Sequence, residues 1–439
     1  MLTSVVFSAF TIFLALIVFF ILCYRGFGVI PCAILCAAIV GLSTPEGMLG
    51  TLIGAFMGST SGYVGGMLLP FVFGGMFAGL MTATGSSEII GKYLIGKFGS
   101  RFAPYAVMLA VMLLALGGVS AFPFIIAPLA FSVLKAADLP RQIGAVIMCG
   151  SYSLVGYLVP GATNTANVIA SNSYGTTLYA GAPIGIVCFI IGVSLVVVYI
   201  EYMIRTYRKN HIGYTPSPTE LKTDPRSDHE LPPFWLAITP IFMIFILTMV
   251  LQLGFGWRST QAVVVSLLIG TVFLYAFNWT RIKEKNKLSL INKGMCTALV
   301  PLANTAVIVG FAGVVTGTSA YAAMVEKLLT IDTNPYVAVV ISVAAICALC
   351  ADSIGGVSTF TATLGQTFLG MGVNPEALHR LTLATATTFD SMPHNGSINV
   401  SMQVMGLTHK DVYKNICVVQ IIIPVIYTIV ALLMAIILY

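Results

Sequence analysis

Asp390 and His394 stand four residues apart in the stretch TTFDSMPHNGSINV, with Pro393 between them and Asn395 and Gly396 directly after. The chain around them is nearly all apolar: 58% of its 439 residues are hydrophobic and only 8% are charged. A charge at the centre of a bilayer costs about 2.5–3.5 kcal/mol even on a lenient scale, so such a pair needs a partner or a task. Histidine changes charge near neutral pH, and a carboxylate beside it makes a set that can hold and relay a proton. The plainer alternative is that Asp390 and His394 pair with each other and cap an interrupted helix. Pro393 and Gly396 interrupt the helix, and the N-terminus they open carries about half a positive charge with free N–H groups. Such an end can hold a carboxylate without a buried arginine, with Asn395, Ser397 and Asn399 offering hydrogen bonds.

Another aspartate, Asp352, lies in CADSIGGVSTFTATLG, just before Gly355 and Gly356 and close to Ser358 and Thr359. Asp352 is either a further protonatable group or a helix cap. The glycines recur in LALGGVSAFPFIIAPLAF as Gly117 and Gly118, followed by Ser120 and Pro123. Paired glycines let a backbone turn sharply or a ligand approach closely, so both strings read as tips of re-entrant hairpins with hydroxyls for a ligand. The break around Pro393 has a looser counterpart in VPGATNTANV, where Pro160 and Gly161 precede Thr163, Asn164 and Asn167. That counterpart has no aspartate or histidine, so the titrating groups are expected in the second half alone.

These matches, with FAGLMT at Phe77–Thr82 answering FAGVVT at Phe311–Thr316, keep the same order at nearly one spacing. They predict an internal repeat. The expected fold is an all-α polytopic membrane protein of two inverted repeats, each with a re-entrant hairpin and a broken helix, an elevator-type ion-transporter fold. The first repeat covers 1–205, with scaffold helices over 1–82, hairpin and broken helix over 103–175 and a helix over 178–205. A polar, proline-rich linker follows at 206–233, and the inverted second repeat at 234–439 holds a hairpin at 337–372 and a broken helix at 375–405. Inverted repeats with interrupted helices mark secondary transporters, whose site lies between the repeats.

The elements must be membrane helices. Water-soluble domains carry roughly a quarter charged residues, and the mean hydropathy here is +0.97. Leu2–Tyr24, Ile184–Ile204, Phe234–Phe255 and Val263–Phe277 include stretches near the roughly 20 residues a spanning helix needs. Alternating barrel strands are not seen. Leu2–Tyr24 lacks a basic leader and a small-residue cleavage site, so it reads as a permanent helix. With the linker in the cytoplasm and both termini outside, every Lys and Arg falls inside except Arg258, Lys327 and Arg380, as the positive-inside rule requires. The net charge of +6 then reflects orientation in a bacterial inner membrane, and no nucleic-acid partner is expected.

Other chemistries are poorly supported. The nine cysteines lack metal-site spacing, and Cys347 with Cys350 spells C-x-x-C inside an apolar segment, which reads as packing. No H-E-x-x-H occurs, and GSTSG at Gly58–Gly62 puts threonine where a hydrolase elbow needs serine. No enzyme, cofactor or metal is therefore expected. Gly54, Gly58, Gly62 and Gly66 form a smooth ridge suited to close helix contact within a scaffold or between protomers.

FDSMPHNGSI resembles the D-x-x-P-H-N-G signature of the gluconate permease (GntP) family, and GLTHKDVYKNI at Gly406–Ile416 is similar to that family's continuation. SYSLVGYLVPGATNTANVIA and GGVSAFPF fit as well, so the resemblance spans most of the chain. It implies a proton-coupled symporter for gluconate or a related hydroxy-acid, moving a transport domain against a scaffold as a homodimer. Asp390, Pro393, His394, Asn395 and Gly396 carry over, with the tip serines Ser120 and Ser358. Phe389 stands where sugar-acid permeases carry leucine, ATATTFD is poorer in glycine, and Ala162 and Ala166 flank the first break. Those departures point to a smaller acid such as 3-hydroxybutyrate. The expectation is import of a hydroxy-carboxylate held by Ser120, Thr163, Asn164, Ser358, Thr359, His394 and Asn395, with Asp390, His394 and Asp352 carrying the proton. Sodium coupling through tip carbonyls is the alternative, and a channel is a second.

Overall fold

The computed structural model describes residues 2–25, 27–217, 230–282, 287–328 and 333–439, and every regular element among them is helical. The middle of the linker, with Lys222 and Arg226, lies outside the described residues, as do Lys283 and Lys285. Eight helices are long and apolar enough to cross a membrane, including Ser4–Cys23, Gly47–Ala83, Ala182–Lys209 and His409–Leu438. Shorter apolar helices such as Phe122–Ala136 and Pro335–Cys350 lie between them. That mixture follows from composition: uninterrupted apolar runs make spans, while proline and glycine cut the rest into shorter pieces.

The first hairpin joins Ser86–Leu116 to Phe122–Ala136. Gly99 is non-helical within the first of these (φ 74°, ψ 163°), so residues 86–98 and 100–116 form separate arms. The tip is a Schellman turn: the Gly118 N–H donates to Ala115 and the Val119 N–H to Leu114, both at 3.0 Å. Gly118 sits at φ 67°, a conformation open to glycine, and a Cβ there would lie 2.7 Å from the Thr163 carbonyl oxygen.

The second hairpin turns differently, which corrects the expectation that Gly355 and Gly356 form its tip. The chain reverses between Pro335–Cys350 and Ser353–Phe360 through Ala351 at φ 44°, and both glycines lie inside the second helix. Asp352 is the N-cap, its carboxylate accepting the Gly355 N–H at 2.6 Å. With the cap supplied by a side chain, the glycines are not needed for the turn. Gly356 supplies closeness, since a Cβ there would meet the Cys347 backbone at 3.0 Å.

Each half also contains an interrupted helix. Arg141–Ser153 runs into a π-helical turn, Leu154–Leu158, ends at Val159 and resumes at Thr165–Tyr174. Gly161, at φ 84°, makes the intervening bend. Pro375–Ala386 stops at Thr387, and the helix restarts as Gly396–Val404. Gly396 is thus the first helical residue, not part of the turn, and Asn395 ahead of it caps the new helix.

The buried apolar residues divide into a large cluster, a separate one and a minor group. The large one holds both hairpins and both breaks. The separate one joins Leu2–Tyr24, Val29–Gly41 and Leu299–Thr316 through Phe19, Cys36, Phe311 and their neighbours. Several basic loops meet: Arg141 donates to the Met405 and Gly406 carbonyls, Ser217 to Met405, and the Tyr214 N–H to Asp138. Arg380 departs from its expected place among the outer charges, for it is fully buried.

The two tips should respond differently to a methyl group. Gly118→Ala is expected to lose about 2 kcal/mol or more, because it adds left-handed strain to a clash. At Gly355, in a helical conformation, alanine's better helix propensity offsets the 3.0 Å approach of its Cβ to the Asp352 carboxylate, so Gly355→Ala is expected to change stability by less than about 1 kcal/mol. Thermal unfolding of the purified variants in detergent checks this; equal losses would contradict the asymmetric tips.

Candidate functional site

In the second half the break is wired to the hairpin tip. The Asp390 carboxylate accepts hydrogen bonds from Ser353, the first helical residue after the tip, and from Ser391 at 2.8 Å. The Asn395 side chain donates to the Asp390 carbonyl at 2.9 Å and accepts the Ile398 N–H at 2.8 Å. Asn399 folds back to donate to the Pro393 and Asn395 carbonyls. His409 donates to Pro393 and Tyr413 to Ser391, both at 2.9 Å. A stretch of buried non-helical backbone is thereby satisfied by side chains.

His394 does not pair with Asp390, as the capping alternative would have it. Its side chain lies between Phe19 and Phe311, with ring centroids 5.8 and 5.7 Å away in edge-to-face geometry. It is 2% exposed, one ring nitrogen reaches the Leu349 backbone, and Nε2 has no hydrogen-bond partner. A turn at Pro393, closed by the Asn395 N–H on the Met392 carbonyl at 2.8 Å, lies between the two residues, and the carboxylate meets the hairpin while the imidazole meets the separate apolar cluster.

The first half repeats the arrangement without the titratable pair. Thr163 donates from its N–H and its hydroxyl to the Leu116 carbonyl, at 3.0 and 3.1 Å, joining the break to the tip. Asn164 caps the resumed helix by accepting the Ala166 N–H at 2.8 Å. Asn167 folds back to the Ala162 carbonyl at 2.7 Å, as Asn399 does in the other half. Gln252 and Ser259 donate to the tip carbonyls of Gly117 and Gly118.

Two residues that the sequence did not mark as site candidates join the halves. Arg380, from the helix before the second break, donates to the carbonyls of Tyr157, Leu158, Leu178 and Ala180 at 2.8–3.4 Å. Its guanidinium caps the carbonyl end of the helix preceding the first break, where the helix dipole favours a cation. Its neighbour His379 bridges Asn167 at 2.6 Å and Thr176 at 2.7 Å. Tyr157, two residues before the first break begins, also lies beside Ser353. Charge counting alone assigns Arg380 to an outer loop.

The remaining candidates differ in what they can offer. Ser120 and Ser358 are exposed at or near the tips and Thr359 is half-buried. Thr163, Asn164 and Asn395 are buried and engaged in holding the breaks, and Asp352 is engaged as a cap. No group of three or more His, Cys, Asp or Glu among the described residues is placed to hold a metal. A cavity of about 1060 Å³ lies between Phe124, Lys135, Lys293, Asn304 and Gln403, and none of the candidate substrate- or proton-binding residues lines it.

Comparison with known proteins finds a family. The profile of the family described as "GntP family permease" matches residues 3–437. A Bacillus subtilis (strain 168) protein named "Uncharacterized transporter YxjC" is 24% identical, covering 94% of this chain and 95% of its own length. The "Gnt-II system L-idonate transporter" of Escherichia coli (strain K12) is 26% identical over 48% of each chain. The "High-affinity gluconate transporter" of the same organism is 29% identical over 33% of this chain and 34% of its own.

The arginine clamp yields a stability test. Arg380→Ala leaves several buried carbonyls without donors and is expected to lose about 3 kcal/mol or more. Arg380→Lys, with a point charge in place of the fork, should recover part of it. Thermal unfolding followed by size-exclusion chromatography reads both; a wild-type melting temperature for Arg380→Ala would remove the clamp.

Proposed function

The chain belongs to the GntP family of permeases, and from that premise we propose that it imports a small hydroxy-carboxylate in symport with protons. The family match across nearly the whole chain carries the reading, and it makes the protein a membrane transporter, not an enzyme. The substrate class follows from the Escherichia coli relatives named for idonate and gluconate. Within that class the bulk of Phe389 and the alanines beside the first break favour a compact acid such as 3-hydroxybutyrate. The carboxylate would sit near Ser120, Ser358 and Thr359, against the helix N-termini opened at Asn164 and Asn395.

Asp390 and His394 are the groups that bear on coupling. Asp390 ties the second break to its hairpin, and His394 faces Phe19 and Phe311 of the separate apolar cluster. A proton on His394 changes the interaction across that seam, because aromatic quadrupoles favour a cation. This arrangement supports alternating access in which the hairpins and breaks, as inverted repeats, move as one body against the scaffold. The carbonyls at the first tip already accept from Gln252, Ser259 and Thr163, which favours a proton over sodium. The basic loops that meet at Arg141, Ser217 and Met405 support a cytoplasmic linker with both termini outside, in a bacterial inner membrane. The smooth glycine ridge, at which added Cβ atoms of Gly54, Gly58 and Gly62 would meet nothing, supports a homodimer.

Proteoliposomes with an imposed pH gradient and a panel of labelled hydroxy-acids test the reading. Wild type is expected to accumulate at least one of them, with the same result when choline replaces sodium. His394→Ala and Asp390→Asn should each abolish gradient-driven accumulation. Retained pH-driven accumulation in both variants would sink the coupling role, and loss of uptake in choline would transfer it to sodium.

A further inference from the structure

The cavity away from the breaks has the chemistry of an anion vestibule. Its walls are Met57–Ala83, the start of Ser86–Leu116, Phe122–Ala136, Lys287–Thr297 and Leu299–Thr316, with the end of Gly396–Val404 closing one side. Lys92, Lys135 and Lys293 line it with a single acid, Glu88, which Lys92 meets at 3.0 Å. Lys135 and Lys293 are exposed, and neither forms a salt bridge among the described residues. A cleft of one charge sign with low-dielectric walls concentrates counter-ions.

Part of its lining is polar in a way that suits a hydroxylated chain. Asn304 donates from Nδ2 to Gln403 Oε1 at 2.9 Å. That bond orients the two amides and leaves the Gln403 NH₂ group and the Asn304 carbonyl oxygen for a ligand. Phe124 and Val404 also line the space, and Phe124 stacks edge-to-face on Phe71 at 5.2 Å. Phe124 lies on the helix that leaves the first tip, and Gln403 on the helix that leaves the second break. The cavity therefore backs onto both halves of the candidate site.

We propose that this cavity is a docking vestibule for the transported organic anion, with the carboxylate on Lys135 and Lys293 and the hydroxyls on the Asn304–Gln403 amide pair. The identity of the ligand rests on the transport reading; the concentration of anions does not. It is tested by placing a single cysteine in the cavity, Thr297→Cys, in a Cys296→Ser background, since the other cysteines are buried or half-buried. Negatively charged methanethiosulfonate should label it faster than the positively charged reagent. That ratio should fall roughly tenfold in Lys135→Gln/Lys293→Gln. An acid the protein takes up should slow labelling more than sulfate at equal ionic strength, and Gln403→Leu should erase the difference. An unchanged ratio in the double variant overturns the vestibule. Protection no better than sulfate by a transported acid overturns the amide site. If no hydroxy-acid is taken up in proteoliposomes, the transport reading fails separately, and the reagent ratio still decides whether the cavity gathers anions.

Discussion

Non-helical backbone buried inside a membrane protein is cut off from water, so a peptide group freed there at a turn or break needs a donor or acceptor from the protein unless it lines a wet cavity. This chain meets that constraint at each hairpin tip and each broken helix, and most of the polar side chains at its centre are engaged in doing so. Thr163 closes the gap between the first break and the Leu116 carbonyl, Asn167 and Asn399 fold back on the loops before their helices, and Asn395 satisfies both Asp390 and Ile398. The asparagines serve because one side chain carries both donors and an acceptor. The breaks are thus held open by groups that a reading for ligand contacts alone assigns to substrate.

Arg380 extends the same logic across the molecule. A buried guanidinium is tolerable when each of its donors meets an acceptor, and here carbonyls released by the first break and by the following loop provide them. Because Arg380 and His379 come from the second half, the first half's broken helix is not complete without the second. The halves are joined by satisfied backbone as well as by apolar packing.

The titratable pair stands where these constraints leave freedom. Asp390 is bonded to the hairpin through Ser353, whereas His394 keeps a free Nε2 against aromatic rings of the separate cluster. One proline between them directs the two groups to different neighbours. The aspartate therefore belongs to the wiring between the second break and its hairpin, and the histidine to the contact with the separate apolar cluster.

Much of this was legible in the residues. Composition alone excluded a soluble domain, because apolar runs of spanning length with few charges have no other stable environment. Proline, glycine and asparagine at Pro160–Asn164 and Pro393–Asn395 marked the breaks, because those residues change local backbone preference whatever surrounds them. The family signature rested on the same local chemistry. What lay beyond the sequence depends on neighbours distant along the chain. Gly355 and Gly356 looked like a tip because Gly117 and Gly118 are one, yet Asp352 caps that helix early and Ala351 takes the turn. Arg380 looked like a loop charge until carbonyls from residues 157–180 surrounded it. His394 and Asp390 looked like a pair because they are close in sequence, and the turn at Pro393 sends them apart. Sequence determined where the helices must break; only the tertiary structure decided which side chains close each break, because a hydrogen-bond partner is chosen by position in space and not by spacing along the chain.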